Sequence, residues 1–600
     1  MYKPDNMNQP IKIYFAALLT LLVTACSEEF LDRQPETSIG VENFFNTEED
    51  LALYINNLYS VGLDYNGDRG TDNAATTGNL ETKTIMTTDA NSATISGGWN
   101  WGRLRTINLF LENFRNADIA PNLLNHYEGL ARYFRAQFYM GMVRRYSDVP
   151  WYSTTIGTSD DELLFKDRDP RSLVVDSIMA DYQFAAQHVL ENQPDGAINR
   201  WVVLTHFGRD ALYEGTYRKY HPELGLEGTA GTFLQMAKDA ARQVMDSGNF
   251  QIHNSGNPDN DYFDLFQSLD LTSNPEVIWT LINQEGLRNS GNSETIFGNY
   301  EVSPARDLLQ AYLNADGTYY SSRPDYETAL FVEEFVDRDP RAYQTYAYPG
   351  WELIRTGTYA QGGGIYVQQL QKNFSGYHQR KGFVNVRENA FIQSVDVPVL
   401  RYAEVLLTYA EARAELGELT QADLDETINV LRDRVGMPHL MLNPPVDPVQ
   451  QARYPNVSDP TLLEIRRERR IEMAMEGFRM NDLMRWGAGA LLEKEPEGLY
   501  FPSLGKYDLT GDGIEDIILI SNTESIPNEK EKNELGVELI YYRTGRQGED
   551  ASVYLENGDS GTVQTVLDRG TFQDPKHYYR PIPETQVLLN PNLQQMFGWN

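Results

Sequence analysis

The stretch from Glu464 to Gly487, EIRRERRIEMAMEGFRMNDLMRWG, limits what this chain can fold into more tightly than any other. Leu462, Ile465, Met473, Ala474, Phe478, Met480, Leu483, Met484 and Trp486 recur at three- and four-residue steps, the period of a helix. Between them stand Arg466, Arg467, Arg469, Arg470, Glu472, Glu476, Arg479 and Asp482. Opposite charges three residues apart, Glu464 with Arg467, Arg469 with Glu472 and Glu476 with Arg479, can meet on a helix surface. Gly477 divides the run and Gly487 ends it, which predicts two helices meeting at a corner. Taken alone, the run is as readily a solvated helix face as a signature of something more specific.

With 600 residues at 41% hydrophobic content the chain can bury a large core, and its length allows about two to four domains. The 36 Tyr, 25 Phe and 8 Trp fill part of that core, and where they crowd into loops they suggest flat apolar platforms. A balance of 51 basic against 86 acidic residues, net −35, excludes nucleic acid, whose phosphates demand a basic footprint. It suits a body facing water or a neutral ligand. The single cysteine, Cys26, excludes an internal disulfide framework and a Cys-based zinc site.

That cysteine closes a targeting segment, residues 1–25. Lys12 precedes an apolar stretch from Ile13 to Ala25 that is too short to span a bilayer as a mature helix. It ends Leu22-Val23-Thr24-Ala25-Cys26, the pattern of a bacterial lipobox, where the cysteine is acylated and the chain is cut just before it. An ordinary signal peptide with an incidental cysteine is the competing reading, and the position of the chain's only Cys favours the lipobox. Several acyl chains on Cys26 would anchor the protein to a membrane, each buried methylene contributing about 0.8 kcal/mol.

Downstream, Thr47 is placed to cap a helix through Leu51, Tyr54, Ile55, Leu58 and Tyr59, with acids in its first turn. From Asp64 to Asn100 the periodicity fails, and a loop of that length is uncommon unless it serves function. Helical stripes return from Trp101, from His126 to Tyr146, Arg171 to Leu190, Trp201 to Tyr220 and Thr232 to Met245, where Gly248 supplies a left-handed stop. Small residues on neighbouring helices, Ala237, Ala240, Ala241, Ala403 and Ala410 among them, predict tetratricopeptide-like packing without a strict 34-residue repeat. The fold expected is therefore mainly α. Helix pairs from segments 40–60, 100–250 and 400–490 form a scaffold. Residues 250–400 and 488–600 read as an irregular, loop-rich half with short strands such as Glu276 to Trp279.

The ERR-E-EG-R-DL-RWG pattern of the first stretch resembles the C-terminal signature of the SusD/RagB family of outer-membrane nutrient-binding lipoproteins. Four other stretches resemble the same family in the same order. They are FFNTEED at 44–50, GLARYFRAQFYMGMVRRYSDVPW at 129–151, RYAEVLLTYAEA at 401–412, and the tail from His577 through Pro581-Ile582-Pro583 to LNPNLQQ at 589–595. Arg580 directly before Pro581 is a small departure from the family's tail. The acidic Ser27-Glu28-Glu29 behind Cys26 resembles the surface-export signal of Bacteroidetes lipoproteins. The resemblance implies one SusD-like domain over 26–600, with an N-terminal part at about 27–220 and a C-terminal part at about 270–600. It implies a non-catalytic protein, lipid-anchored at the cell surface, that captures glycan and delivers it to a SusC-like TonB-dependent transporter. Peptide capture, as in the RagB branch, is the alternative within the family. A glycoside hydrolase on a helical scaffold is the alternative outside it.

For chemistry, Asp508-Leu509-Thr510-Gly511-Asp512-Gly513-Ile514-Glu515-Asp516 spaces Asp508, Thr510, Asp512 and Asp516 as a calcium loop would, with Gly513 at its sharp turn. Position twelve is Leu519, so the bidentate acid of an EF-hand is missing, and a partial structural Ca2+ site stands beside a plain Asp/Gly-rich turn. No other cofactor is implied. Phosphate loop, H-E-x-x-H and nucleophile-elbow patterns are missing. A glycosidase pair needs two acids facing across about 5–9.5 Å, which spacing in sequence does not place. A sugar packs its apolar face on an aromatic ring while its hydroxyls bond to Asp, Asn or Arg. Candidate ligand residues are Arg69, Asp72, Trp99 and Asn100 in the first long loop, and Tyr300, Tyr348, Trp351 and Tyr359 in later ones. For each aromatic, core packing is the competing role. Trp101, which opens a helical stripe, belongs to the scaffold.

Overall fold

A computed structural model of the chain describes residues 44–599 apart from 60–66, 77, 285, 289–301, 354–364, 372–373, 386–393 and 566–568. The leader, Cys26, Tyr300 and Tyr359 lie outside the described residues.

Helix α1, Glu48–Asn56, starts as its sequence predicts. Thr47 Oγ1 accepts from Asp50 N at 3.2 Å, and the Asp50 carboxylate accepts from Thr47 N at 3.0 Å, a reciprocal cap over an acidic first turn. The scaffold follows with α2 (Gly102–Asn113), α3 (Pro121–Tyr146), α4 (Arg171–His188), α5 (Arg200–Tyr220), α6 (Ala230–Asp246) and α7 (Tyr402–Glu415). Helix α3 begins five residues before the predicted stripe because Pro121, at its first position, fixes φ for helix entry. Helices α3 and α4 pack as one pair, α5 and α6 as another, and α7 lies against α6. Small residues set these distances. A Cβ on Gly215 of α5 would lie 2.9 Å from Leu234 N of α6, so only glycine permits that approach. Ala237, Ala403 and Ala410 are fully buried at the facing contacts. The predicted mainly α scaffold of packed helix pairs is what forms.

The second half is irregular, as expected. Strand β1 (Ala74–Thr76) pairs with β3 (Val302–Pro304), and β2 (Val277–Leu281) pairs antiparallel with β4 (Val397–Arg401). Strand β5 (Glu497–Phe501) pairs with β10 (Gly561–Gln564). A small mixed sheet runs β6 (Gly505–Tyr507), β7 (Ile517–Ser521), β8 (Ile540–Gly545), β9 (Val553–Tyr554), with parallel neighbours at β7–β8 and β8–β9. The loop expected over 64–100 is less bare than its composition suggested, since Glu81–Thr87 forms a helix. Glu81 there binds both Arg145 and Arg580, and the proline-fixed tail buries Tyr579, Ile582 and Leu593 against the helical core.

The charged run forms two helices, α8 (Pro460–Glu472) and α9 (Arg479–Arg485), with left-handed Met475 (φ 62°) and Gly477 (φ 82°) in the corner between them. The buried carboxylate of Asp68 accepts from Met475 N at 2.8 Å and Gly477 N at 3.1 Å, which fixes the corner from more than 400 residues away in sequence. The run is not a solvated face. Arg466 is 1% exposed, and Glu468 and Glu472 are fully buried. Of the three short-range pairs only Glu464–Arg467 forms. Glu472 instead binds Arg434 (2.6 Å), Arg401 (2.6 Å) and Arg341 (3.1 Å), Glu476 binds Arg401 and Lys381, and Arg485 binds Glu411. A buried charge costs several kcal/mol unless paired. With water excluded, each side chain takes whichever partner the fold brings to its head group.

Candidate functional site

The predicted ligand residues separate into distinct surroundings. Asn100 is exposed, and its Oδ1 accepts from Gly102 N at 2.9 Å, so it opens α2. Trp99 is half-buried, edge-on to Trp101 at 5.3 Å and to Tyr146 at 4.9 Å between ring centroids. Trp101 packs on Phe138, Tyr139 and Tyr152, the scaffold role its position predicted.

Arg69 is exposed, but Asp72, three residues on, is not available to a ligand in the way expected. Its carboxylate is 4% exposed and is held by Arg479 at 2.7 and 2.8 Å, with Arg453 at 3.2 Å and Arg470 at 3.3 Å. Burial alone would raise its pKa, and the guanidiniums of Arg470, Arg479 and Arg453 outweigh burial and hold it far below the carboxylate range. Asp307 shares Arg453 and Arg470, and its carboxyl is held at about 2 against the same opposing burial. The two acids line a cavity of about 380 Å³ together with Pro448, Val449, Leu491 and Pro496. Asp72 therefore organises a buried charge network. The sequence expectation missed this because its partners lie 381–407 positions away.

Trp351 also departs from expectation. It is 5% exposed, with Tyr366 and Phe383 edge-on at 5.9 and 6.2 Å. A ring enclosed in this way has no face to offer a sugar, so the exposed-platform expectation fails for it. Tyr348, three residues earlier, is half-buried at a surface ledge. Tyr343 stands edge-on to it at 5.3 Å, and the Arg380 guanidinium lies 5.8 Å from its centroid. Arg380 is fixed by its Nη1 bond to Tyr343 O at 2.9 Å and by Phe263 beneath it at 4.3 Å. Two rings at right angles, with a guanidinium over one of them, can take a sugar face and a hydroxyl together. Tyr343 and Arg380 were not among the predicted ligand residues, and only their aromatic and basic character in the irregular half could have suggested them.

The ledge borders the aspartate-rich turn. Gly511 (φ 78°) sits against Pro349, with an added Cβ falling 3.3 Å from the proline Cβ. Within the turn, Asp508 accepts from Thr510 N, Gly511 N and Gly513 N at 2.6–2.9 Å, and Asp516 accepts from Leu509 N and Thr510 N at 2.8 and 2.9 Å. Asp512 accepts from Ile514 N at 2.9 Å. Burial raises the Asp516 carboxyl, and Asp508 beside it adds to the rise. In this turn the carboxylates whose spacing suggested Ca2+ cap the backbone of the turn itself. Among the described residues, the group of three or more acids and imidazoles whose ligand atoms all lie within 4.8 Å of one another is His253, Asp261 and Asp264. There too Asp261 accepts from Ser255 N and Asn257 N, at 2.9 and 3.0 Å.

Comparison with known proteins gives the same picture of the whole chain. SusD-like protein P38 of Formosa agariphila is 24% identical over 512 residues, covering 79% of this chain and 91% of that protein. A SusD-like carbohydrate-binding protein of Bacteroides fragilis superposes with a TM-score of 0.65 at 22% identity, covering 92% of this chain and all of that one. A second SusD-like protein of the same organism gives a TM-score of 0.64 at 20% identity over 94% of this chain and all of that one. The family model described as the SusD family matches residues 233–599, more than half of the sequence, and includes β2, β4, α7, the α8–α9 corner and the tyrosine ledge. The chain belongs to the SusD family.

Proposed function

We propose that this protein captures glycan at the cell surface without cleaving it and hands it to a SusC-like TonB-dependent transporter of the outer membrane, where a lipid on Cys26 anchors it. Family membership over 233–599, the region holding Tyr343, Tyr348 and Arg380, is the observation that carries this reading. The relative from Bacteroides fragilis described as carbohydrate-binding supports the choice of ligand class. Among the described residues no helix is long and apolar enough to cross a membrane.

The ledge supplies the test. Truncating Tyr348 to Ala is expected to weaken binding of whichever polysaccharide binds wild type by about five- to thirtyfold, or about 1–2 kcal/mol, because only part of the buried ring area appears as affinity. The melting temperature should move little, since the ring is half-exposed. Unchanged affinity would remove the ledge from the site. Binding confined to peptides would favour the RagB-like alternative, and slow release of shorter oligosaccharides by wild type would overturn the non-catalytic reading. The anchor has its own check: Cys26→Ala should move the protein out of the membrane fraction, and its retention in washed outer membranes would refute the lipid attachment.

A further inference from the structure

We propose that a second site, the cavity between α5, α7 and the α8–α9 corner, binds a small carboxylate with a ring-sized body, the chemistry of a sugar acid. The cavity measures about 380 Å³ and is lined by four guanidiniums, Arg144 from α3, Arg209 from α5, Arg469 from α8 and Arg485 from α9. The acids in its lining are Glu476 and Asp482. The other carboxylates that pair with the four arginines, Asp210 for Arg144, Glu404 for Arg209 and Glu411 for Arg485, are not part of the lining.

The pairing leaves donors over. Arg469 gives Asp482 its Nε at 2.9 and 3.0 Å, and its remaining Nη1 is sealed from solvent and does not reach the cavity. Arg144 meets Asp210 through Nη2, which leaves its Nη1 free on a partly exposed side chain. Arg209 meets Glu404 through Nε and Nη2. A guanidinium has only donors, so a ligand that meets the free Nη1 groups of Arg144 and Arg209 must accept. A carboxylate accepts without donating and matches the planar fork of a guanidinium, which a neutral hydroxyl does not. Rings complete the lining. Tyr213 lies under Arg144 at 4.5 Å and Phe478 under Arg209 at 4.9 Å, and both border the cavity with Leu212, giving the body of a ligand apolar walls. Access is open, because Asn481 at the rim is exposed and Arg144 and Arg209 keep 25% and 23% of their side chains in solvent. This site lies in the helical half and does not depend on the tyrosine ledge.

Titration calorimetry with sodium glucuronate, with glucose as the neutral analogue and sodium sulfate at equal ionic strength, tests the assignment. Glucuronate is expected to bind, glucose to give no measurable heat, and sulfate to bind at least about tenfold more weakly because it lacks the body. Asn481→Asp puts a negative charge at the rim in the first turn of α9, where an acid suits the helix, and should weaken glucuronate by about tenfold or more. Asn481→Lys should keep or tighten binding. Tyr348→Ala should leave it unchanged, which separates this site from the ledge. No heat with glucuronate, equal binding of glucose or of sulfate, or equal losses in both Asn481 variants with their melts intact would each overturn the proposal.

Discussion

Replacing Glu472 with alanine is expected to cost about 3–5 kcal/mol of folding stability. Its carboxylate is fully buried and is the shared partner of Arg341, Arg401 and Arg434, which come from three separate segments. Burial alone would raise its pKa, but Arg434, Arg401 and Arg341 outweigh burial and hold the group well below the ordinary carboxylate range. Removing it takes one carboxylate from each of three guanidiniums in a dry interior. Arg341 keeps Asp339 and Glu468, Arg401 keeps Glu276 and Glu476, and Arg434 keeps Glu276. The buried network is left with excess positive charge, and most of the cost comes from that. Glu411, which binds Arg485 and is held at about 2, has the same character. For such groups the folded-state pKa lies below the unfolded one. Their stabilisation is therefore complete above the unfolded value, about 4.3 for glutamate, and is lost as pH falls through the folded value. The gap between wild type and Glu472→Ala should stay full above about pH 5 and narrow only in stronger acid. Urea unfolding at pH 7 measures the loss. A change under about 1 kcal/mol would mean that water reaches this network, as at an exposed pair.

Trp351→Ala is expected to lose about 3–5 kcal/mol of stability, the cost of deleting a large buried ring and leaving a cavity. The sequence alone placed this ring in a ligand-binding loop, where truncation would leave the fold nearly untouched. Its enclosure by Tyr366 and Phe383 reverses that expectation. Tyr348→Ala, three residues away, is the internal control and should show the opposite balance, with affinity lost and stability kept. A melt for Trp351→Ala indistinguishable from wild type would return the ring to the surface and with it the original expectation.

The outcomes at these positions follow from how far each interaction reaches along the chain. The Thr47 cap, the helical stripes, the break at Gly477 and the stop at Gly248 were all legible, because each depends on residues within about one or two helical turns. The helix Glu81–Thr87 was missed since it is too short for a periodic stripe to emerge. The aspartate turn was legible as a turn, but the backbone groups that its carboxylates cap were not, since the same spacing suits a cation.

By itself, then, the sequence determined the helical scaffold, the corner at Gly477 and the family, since these are carried by local period, capping chemistry and motifs that stand in linear order. Tertiary structure alone decided that the arginine-rich run is buried, that Asp72 holds a network, that Trp351 is core and Tyr348 a ledge, and that four guanidiniums surround one cavity. Burial is not a property of a residue but of what surrounds it. A charge or a ring has the same chemistry in sequence wherever it falls, and its role is fixed only when segments hundreds of residues apart exclude water from it or leave it exposed.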